Sequence, residues 1–152
     1  MNIMSHLSNP ALKSFTQRRK DSPGGAGHYH VADRFGQRMS VTIAGREVAS
    51  SDRVIILKEV GTSVYNPVFF FPREDVQMDL FEKVPNLRTH CPIKGDASYW
   101  SFVADGQSIE NAVWSYENPL PYSNMIAGYL GFDPRFASLC IFSSENVEQG
   151  LK

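Results

Sequence analysis

Two dipeptides, Ala44-Gly45 and Asp105-Gly106, constrain this chain most, because each stands between runs in which apolar and polar residues alternate. Alternation is the two-residue period of a strand with unlike faces, and a two-residue turn between such runs closes an antiparallel hairpin. Met39-Ser-Val-Thr-Ile enters the first turn and Glu47-Val-Ala-Ser leaves it, while Ser98 to Val103 and Gln107 to Trp114 flank the second. Hairpins joined this tightly leave no room for the strand-helix-strand crossovers of a Rossmann unit.

The remaining segments read the same way. A strand is expected from Arg53 to Val60, and the run Val68-Phe-Phe-Phe is apolar enough to be covered on both faces before Pro72 ends it. Arg73-Glu-Asp-Val suits one helical turn, Met78 to Val84 reads as extended, and Arg88 to Cys91 leads into a turn at Pro92 and Gly95. Tyr129 to Phe132 and Leu139 to Phe142 are the last expected strands. Eight or nine short strands with scraps of helix predict a mainly β fold: small antiparallel sheets folded over one another or forming a partly open barrel.

Charge sets the first part of the chain apart. Residues 1–38 hold six Lys/Arg against two Asp/Glu, and the remainder holds nine against fourteen. A short helix is expected from Asn9 to Lys20, stopped by Asp21-Ser-Pro-Gly-Gly-Ala-Gly, so 1–38 reads as a mobile basic arm and linker, 39–143 as the β domain and 144–152 as a tail. The Arg18-Arg19-Lys20 cluster reads as a solvated face. A net charge of -1 supplies no field for a nucleic-acid backbone, and no apolar run nears the roughly 20 residues of a membrane span, so neither partner is expected and a cytoplasmic location is. Two cysteines, Cys91 and Cys140, are too few for an all-Cys zinc site, and His28-Tyr29-His30 reads as a loop entering a strand. With no glycine-rich phosphate loop either, the chain is expected to hold no metal and no cofactor.

Fifteen of the eighteen aromatic residues fall between Tyr65 and Phe142, many beside polar groups, which points to a lined pocket for a small-molecule ligand. The densest collection of reactive side chains is Thr89-His-Cys-Pro-Ile-Lys-Gly-Asp-Ala-Ser-Tyr-Trp. On a strand His90 and Cys91 face opposite ways, and the imidazole is the better acid/base, so His90 is preferred. Lys94, in the tight turn, is expected to anchor a carbonyl or carboxylate. Glu110, Ala112, Trp114 and Tyr116 alternate onto one face as a site wall, with Glu110 as a further acid or base.

The blocks Phe71-Pro-Arg-Glu-Asp-Val, Thr89 to Ser101, Glu110-Asn-Ala-Val-Trp-Ser-Tyr and Ile126-Ala-Gly-Tyr-Leu-Gly-Phe resemble, in that order, the family catalogued as domain of unknown function 427, also labelled nucleotidyltransferase-like. The likeness runs from about Met39 to Phe142. It implies a β-tent fold, in which two small antiparallel sheets pack across each other around an aromatic cleft drawing here on Tyr99, Trp100, Trp114 and Tyr116. The label implies nucleotidyl transfer, but convergent aspartates for a metal-bound triphosphate are missing from the sequence.

Three functions follow as expectations. The first is a metal-independent enzyme acting on a carbonyl-containing metabolite by isomerisation, cyclisation, dehydration or hydrolysis, with His90, Lys94 and Glu110 catalytic and Tyr99, Trp100, Trp114 and Tyr116 binding substrate. It requires His90, Lys94 and Glu110 to converge on one cavity. The second is a non-catalytic binding module using the same cleft, and the third an interaction protein that forms a homodimer through exposed strand edges and meets a partner through its basic arm.

Overall fold

The computed structural model of the chain describes residues 10–142, with side chains from residue 15 to residue 141. The segment read as a C-terminal tail lies outside these residues, as does the start of the arm. Three antiparallel sheets make up the fold, and none closes on itself. The first orders β1 (Tyr29–Arg34), β4 (Ile55–Val60) and β5 (Val68–Phe70). The second orders β10 (Ala137–Phe142), β2 (Arg38–Ile43) and β3 (Arg46–Ser51). The third and largest runs β6 (Phe81–Cys91), β7 (Gly95–Ala104), β8 (Gln107–Ser115) and β9 (Leu130–Phe132). Among the described residues a helix, α1 (Pro10–Asp21), precedes them and packs on β1. No helix among the described residues is long and apolar enough to cross a membrane.

Both hairpins form with the turns their sequences predict. Ala44 and Gly45 have φ of 51° and 79°, and Asp105 and Gly106 have 55° and 74°. Two successive positive φ values match the right-handed twist of the strands they join. In the first hairpin Met39, Val41 and Ile43 face inward at two-residue spacing, each 1 % exposed or less. The Phe71 and Leu130 backbones exchange hydrogen bonds of 2.9 and 2.8 Å, which tie the end of the first sheet to the third.

Two cores result. Met39, Val41, Ile43 and Val48 of the second sheet pack with Trp100, Phe102 and Val113 of the third, with Phe71 edge-on to Phe132 at 5.4 Å between ring centroids. Leu57 and Phe70 of the first sheet pack with Ala97, Tyr116 and Ile126. The third sheet therefore contributes to both.

Three segments differ from the sequence reading. Met78–Leu80 is a 3-10 turn, and β6 then runs unbroken through to Cys91, absorbing the strand expected at Arg88. A bulge between Lys83 and Arg88, with Asn86 at φ 62°, carries the strand past Pro85 without a ladder donor there. Tyr29–Arg34, read as linker, is a strand paired along its length with β4, because Val31 and Ala32 find apolar cover there. Arg18, read as solvated, is engaged: its Nε donates to the His30 carbonyl at 3.2 Å and its Nη2 to the Tyr122 carbonyl at 2.5 Å.

Candidate functional site

The turn between β6 and β7 is covered by one other segment, residues 120–123. Ile93 is fully buried. Its carbonyl accepts a hydrogen bond from Ser123 Oγ at 2.8 Å, and the Leu120 amide donates to the Lys94 carbonyl at 3.0 Å. Gly95 has φ 100°, and a Cβ there would stand 3.3 Å from the Leu120 nitrogen, so only glycine allows the Leu120 segment to close over the turn. Lys94 is consequently turned inward, its side chain only 12 % exposed.

Its ammonium meets the first sheet. Lys94 Nζ lies 2.5 Å from Glu59 Oε1, and the other carboxylate oxygen, Oε2, lies 2.8 Å from His28 Nε2. Glu59 is 10 % exposed and His28 24 %. Glu59 occupies an inward position of β4 two residues after Leu57, where alternation would normally place an apolar side chain. The Tyr116 ring centroid is 5.2 Å from Lys94 Nζ, and Cys91, the last residue of β6, packs against the same apolar cluster as Tyr99, Trp114 and Tyr116. Tyr99 OH and Thr89 Oγ1 are 2.7 Å apart.

Charge is fixed within this cluster. Burial works against both ions. For Lys94 it is outweighed by Tyr116, Glu59 and Cys91, which hold the ammonium above its ordinary pKa, and for Glu59 by Lys94 and His28, which hold the carboxyl below. Burial raises the Tyr116 phenol, against the pull of Lys94. At neutral pH the site is thus an ammonium, a carboxylate and a neutral phenol. Behind it His30, fully buried, is pushed down to about 4 by burial and by Arg18 and Lys94.

The residues singled out from the sequence separate into groups. Lys94, Tyr99, Trp114 and Tyr116 lie in or beside the cluster. Trp100 packs into the other core, with Arg73 and Lys83 each 5.3 Å from its ring. His90 points outward, its side chain 67 % exposed and its Nδ1 2.8 Å from Asp96 Oδ1. It lines a shallow groove of about 240 Å³ with Arg88, Asp96, Ser98 and Glu117, which Lys94 does not line. Glu110 is exposed. Asn111 beside it has φ 56°, and the β7–β8 register shifts there, so the expected common face of Glu110, Ala112, Trp114 and Tyr116 is broken: Ala112 joins one core and Trp114 the other. His90, Lys94 and Glu110 therefore do not converge. His90 and Cys91 do face opposite ways, and it is Cys91 that turns inward.

Glu59 was missing from the sequence reading, and His28 entered it only as part of a loop leading into a strand. An Ile-x-Leu-x-Glu alternation in β4, with a carboxylate at an inward position, is the signal for the first. His28 precedes β1 and has no local signal; only the pairing of β1 with β4 brings it beside Glu59. Among the described residues, His28, Glu59 and Cys91 also offer metal-ligating atoms within 4.8 Å of one another.

A family model described as a domain of unknown function (DUF427), labelled NTP_transf_9, matches residues 31–143. A search of curated proteins found no match.

Proposed function

We propose that this chain, which belongs to the DUF427 family, carries a small-molecule site between its first and third sheets, with Lys94 and Glu59 as its working pair. The observation that carries this reading is a buried ion pair joining two sheets and ringed by polar groups, where packing alone would have placed apolar side chains. A ligand with a carbonyl or carboxylate fits the chemistry. Lys94 has three ammonium hydrogens and spends one on Glu59, so the others are available to a ligand oxygen, and Tyr116 and Trp114 supply aromatic wall.

The reaction class that suits these groups is acid/base chemistry next to a carbonyl, such as isomerisation or dehydration. The ionised Glu59 accepts a proton from the substrate, Lys94 stabilises the negative charge that develops on the carbonyl oxygen, and His28, hydrogen-bonded to Glu59, orients the carboxylate. One observation favours the alternative of binding without turnover. Glu59 is held below its ordinary pKa and Lys94 above, which makes the carboxylate a weak base and the ammonium a weak acid until a ligand loosens the pair.

The test is a thermal-shift screen of the full chain against small oxo-acids, carbonyl compounds and nucleotides, repeated with Glu59→Gln and Lys94→Met. A ligand at a hundred times its Kd should add about 2.7 kcal/mol to wild-type stability. Binding lost in Lys94→Met supports the site. Chemical conversion of that ligand by wild type and not by Glu59→Gln supports catalysis, and stoichiometric binding without conversion supports the alternative. A ligand bound equally by wild type and both variants would place the site elsewhere.

A further inference from the structure

We infer that His28, Glu59 and Cys91 form a site for one divalent cation of the zinc class. Their donor atoms lie within 4.8 Å of one another, yet they come from three separate pieces of chain: the loop before β1, the middle of the first sheet and the end of β6. Glu59 and Cys91 fall within the residues matched to the family and His28 just before them, so the segment ahead of the matched region supplies the third ligand.

The donor set selects the metal. An imidazole, a carboxylate and a thiolate suit zinc or cobalt, whereas magnesium and calcium take oxygen donors throughout. Three protein ligands leave one tetrahedral position for water or a ligand oxygen, the pattern of a catalytic rather than a closed structural site. One edge of the site is nearly formed. His28 Nε2 and Glu59 Oε2, now 2.8 Å apart, open to the edge of a tetrahedron, about 3.3 Å for bonds near 2.0 Å. Lys94 meanwhile holds Oε1, which leaves Oε2 as the oxygen that faces His28 and the metal position.

Binding is coupled to one proton. Cys91 is a free thiol, and it becomes a ligand by releasing its proton to solvent as the metal-sulfur bond forms, while His28 binds as the neutral tautomer whose hydrogen has moved from Nε2 to Nδ1. Thiolate and carboxylate then balance the dication, and the Lys94 ammonium remains as an excess positive charge beside it. Lys94 therefore tunes the site towards weaker, exchangeable binding. This inference does not rest on the acid/base reading, since metal binding is read without any turnover.

The experiment titrates the full-length protein with Co²⁺ and then displaces it with Zn²⁺. One Co²⁺ per chain should bind with the near-ultraviolet absorption of a thiolate-cobalt bond, lost in Cys91→Ser and retained in Cys140→Ser. Affinity should fall at least about tenfold in His28→Gln and rise by about tenfold in Lys94→Met. In wild-type protein, which avoids any doubt about folding of variants, Zn²⁺ should shield Cys91 from alkylation while Cys140 still reacts, as read by peptide mass spectrometry. Absence of the thiolate band, its survival in Cys91→Ser, or equal alkylation of Cys91 with and without Zn²⁺ would overturn the assignment. A protein that binds Co²⁺ in this way but converts no substrate keeps the metal site and loses the catalytic reading.

Discussion

The Arg18 guanidinium lies 3.7 Å from the centroid of the Tyr122 ring, and the Tyr122 hydroxyl donates back to the Arg18 carbonyl at 2.6 Å. The contact is reciprocal, side chain of each to backbone of the other, because Arg18 Nη2 also donates to the Tyr122 carbonyl. It fastens α1 to the 3-10 segment Pro121–Ile126, whose Ser123 bonds the Ile93 carbonyl in the Lys94 turn.

Arg18→Ala should therefore act far from Arg18 itself. Charge-assisted hydrogen bonds and a cation-π contact of this kind are together worth about 2 kcal/mol. We expect that loss in urea denaturation, and early hydrogen exchange at the α1 amides while those of β2 and β8 stay protected. Unchanged exchange in α1 would mean the helix is held by other contacts.

The same contact fixes the charge of His30. Arginine only donates, so His30 Nδ1, 3.3 Å from Arg18 Nη2, is the accepting nitrogen, and Nε2 carries the hydrogen donated to Ser123 Oγ at 2.7 Å. A second ring proton would face a guanidinium. With its folded pKa near 4 against an ordinary 6.5, the unfolded chain binds the extra proton first as pH falls. Stability from this group is complete above about 6.5 and drains away towards pH 4, by about 3 kcal/mol in all. Comparing wild type with His30→Gln by urea denaturation from pH 7 to 4 should show a steeper fall in wild type across that window. Parallel curves would show that His30 is not the group responsible.

Gly131 lies flat beneath Trp114. A Cβ on it would stand 2.6 Å from Trp114 Cε2 and 2.7 Å from Cζ2, closer than carbon atoms approach. The indole is hemmed by Phe70, edge-on at 6.5 Å, so the ring cannot simply swing aside. Gly131→Ala should cost about 1–3 kcal/mol and alter the Trp114 fluorescence. An unaltered emission spectrum and melting temperature would show that β9 gives way more easily than its packing suggests.

What the sequence displays is local chemistry, and the hairpins show it plainly. Asp105-Gly106 and Ala44-Gly45 state their turns, and Met39 to Ile43 states its inward face, because each depends only on neighbours in the chain. The Cys-Pro-Ile-Lys-Gly block led to Lys94 for the same reason, but beside it the choice fell on His90, which is exposed, and not on Cys91, which turns inward. The inward place of Glu59 is legible in the alternation of β4, but its meeting with His28 depends on the pairing of strands about 30 residues apart, which no local pattern carries. Glu110 misled for a third reason: one bulge residue, Asn111, shifts the alternation beyond it. A bulge moves side chains between faces while leaving the composition of the strand unchanged.

Lys94 and Glu59 permit a sharper question, whether the pair exists for folding or for a ligand. Each is desolvated, so Glu59→Gln leaves Lys94 buried without its counter-ion and should cost about 3–5 kcal/mol, while Lys94→Met leaves Glu59 with His28 alone and should cost less. Replacing both, as Lys94→Met with Glu59→Leu, removes both charges and leaves apolar groups of similar volume, which elsewhere is neutral or stabilising. We expect the double variant to regain most of the lost stability in urea denaturation and yet to bind no ligand that shifts the wild-type melting temperature. That outcome would show the charges to be dispensable for the fold and retained for the site. A double variant as unstable as the two singles combined would instead make the pair a structural fastener between the sheets and overturn its assignment as a ligand site.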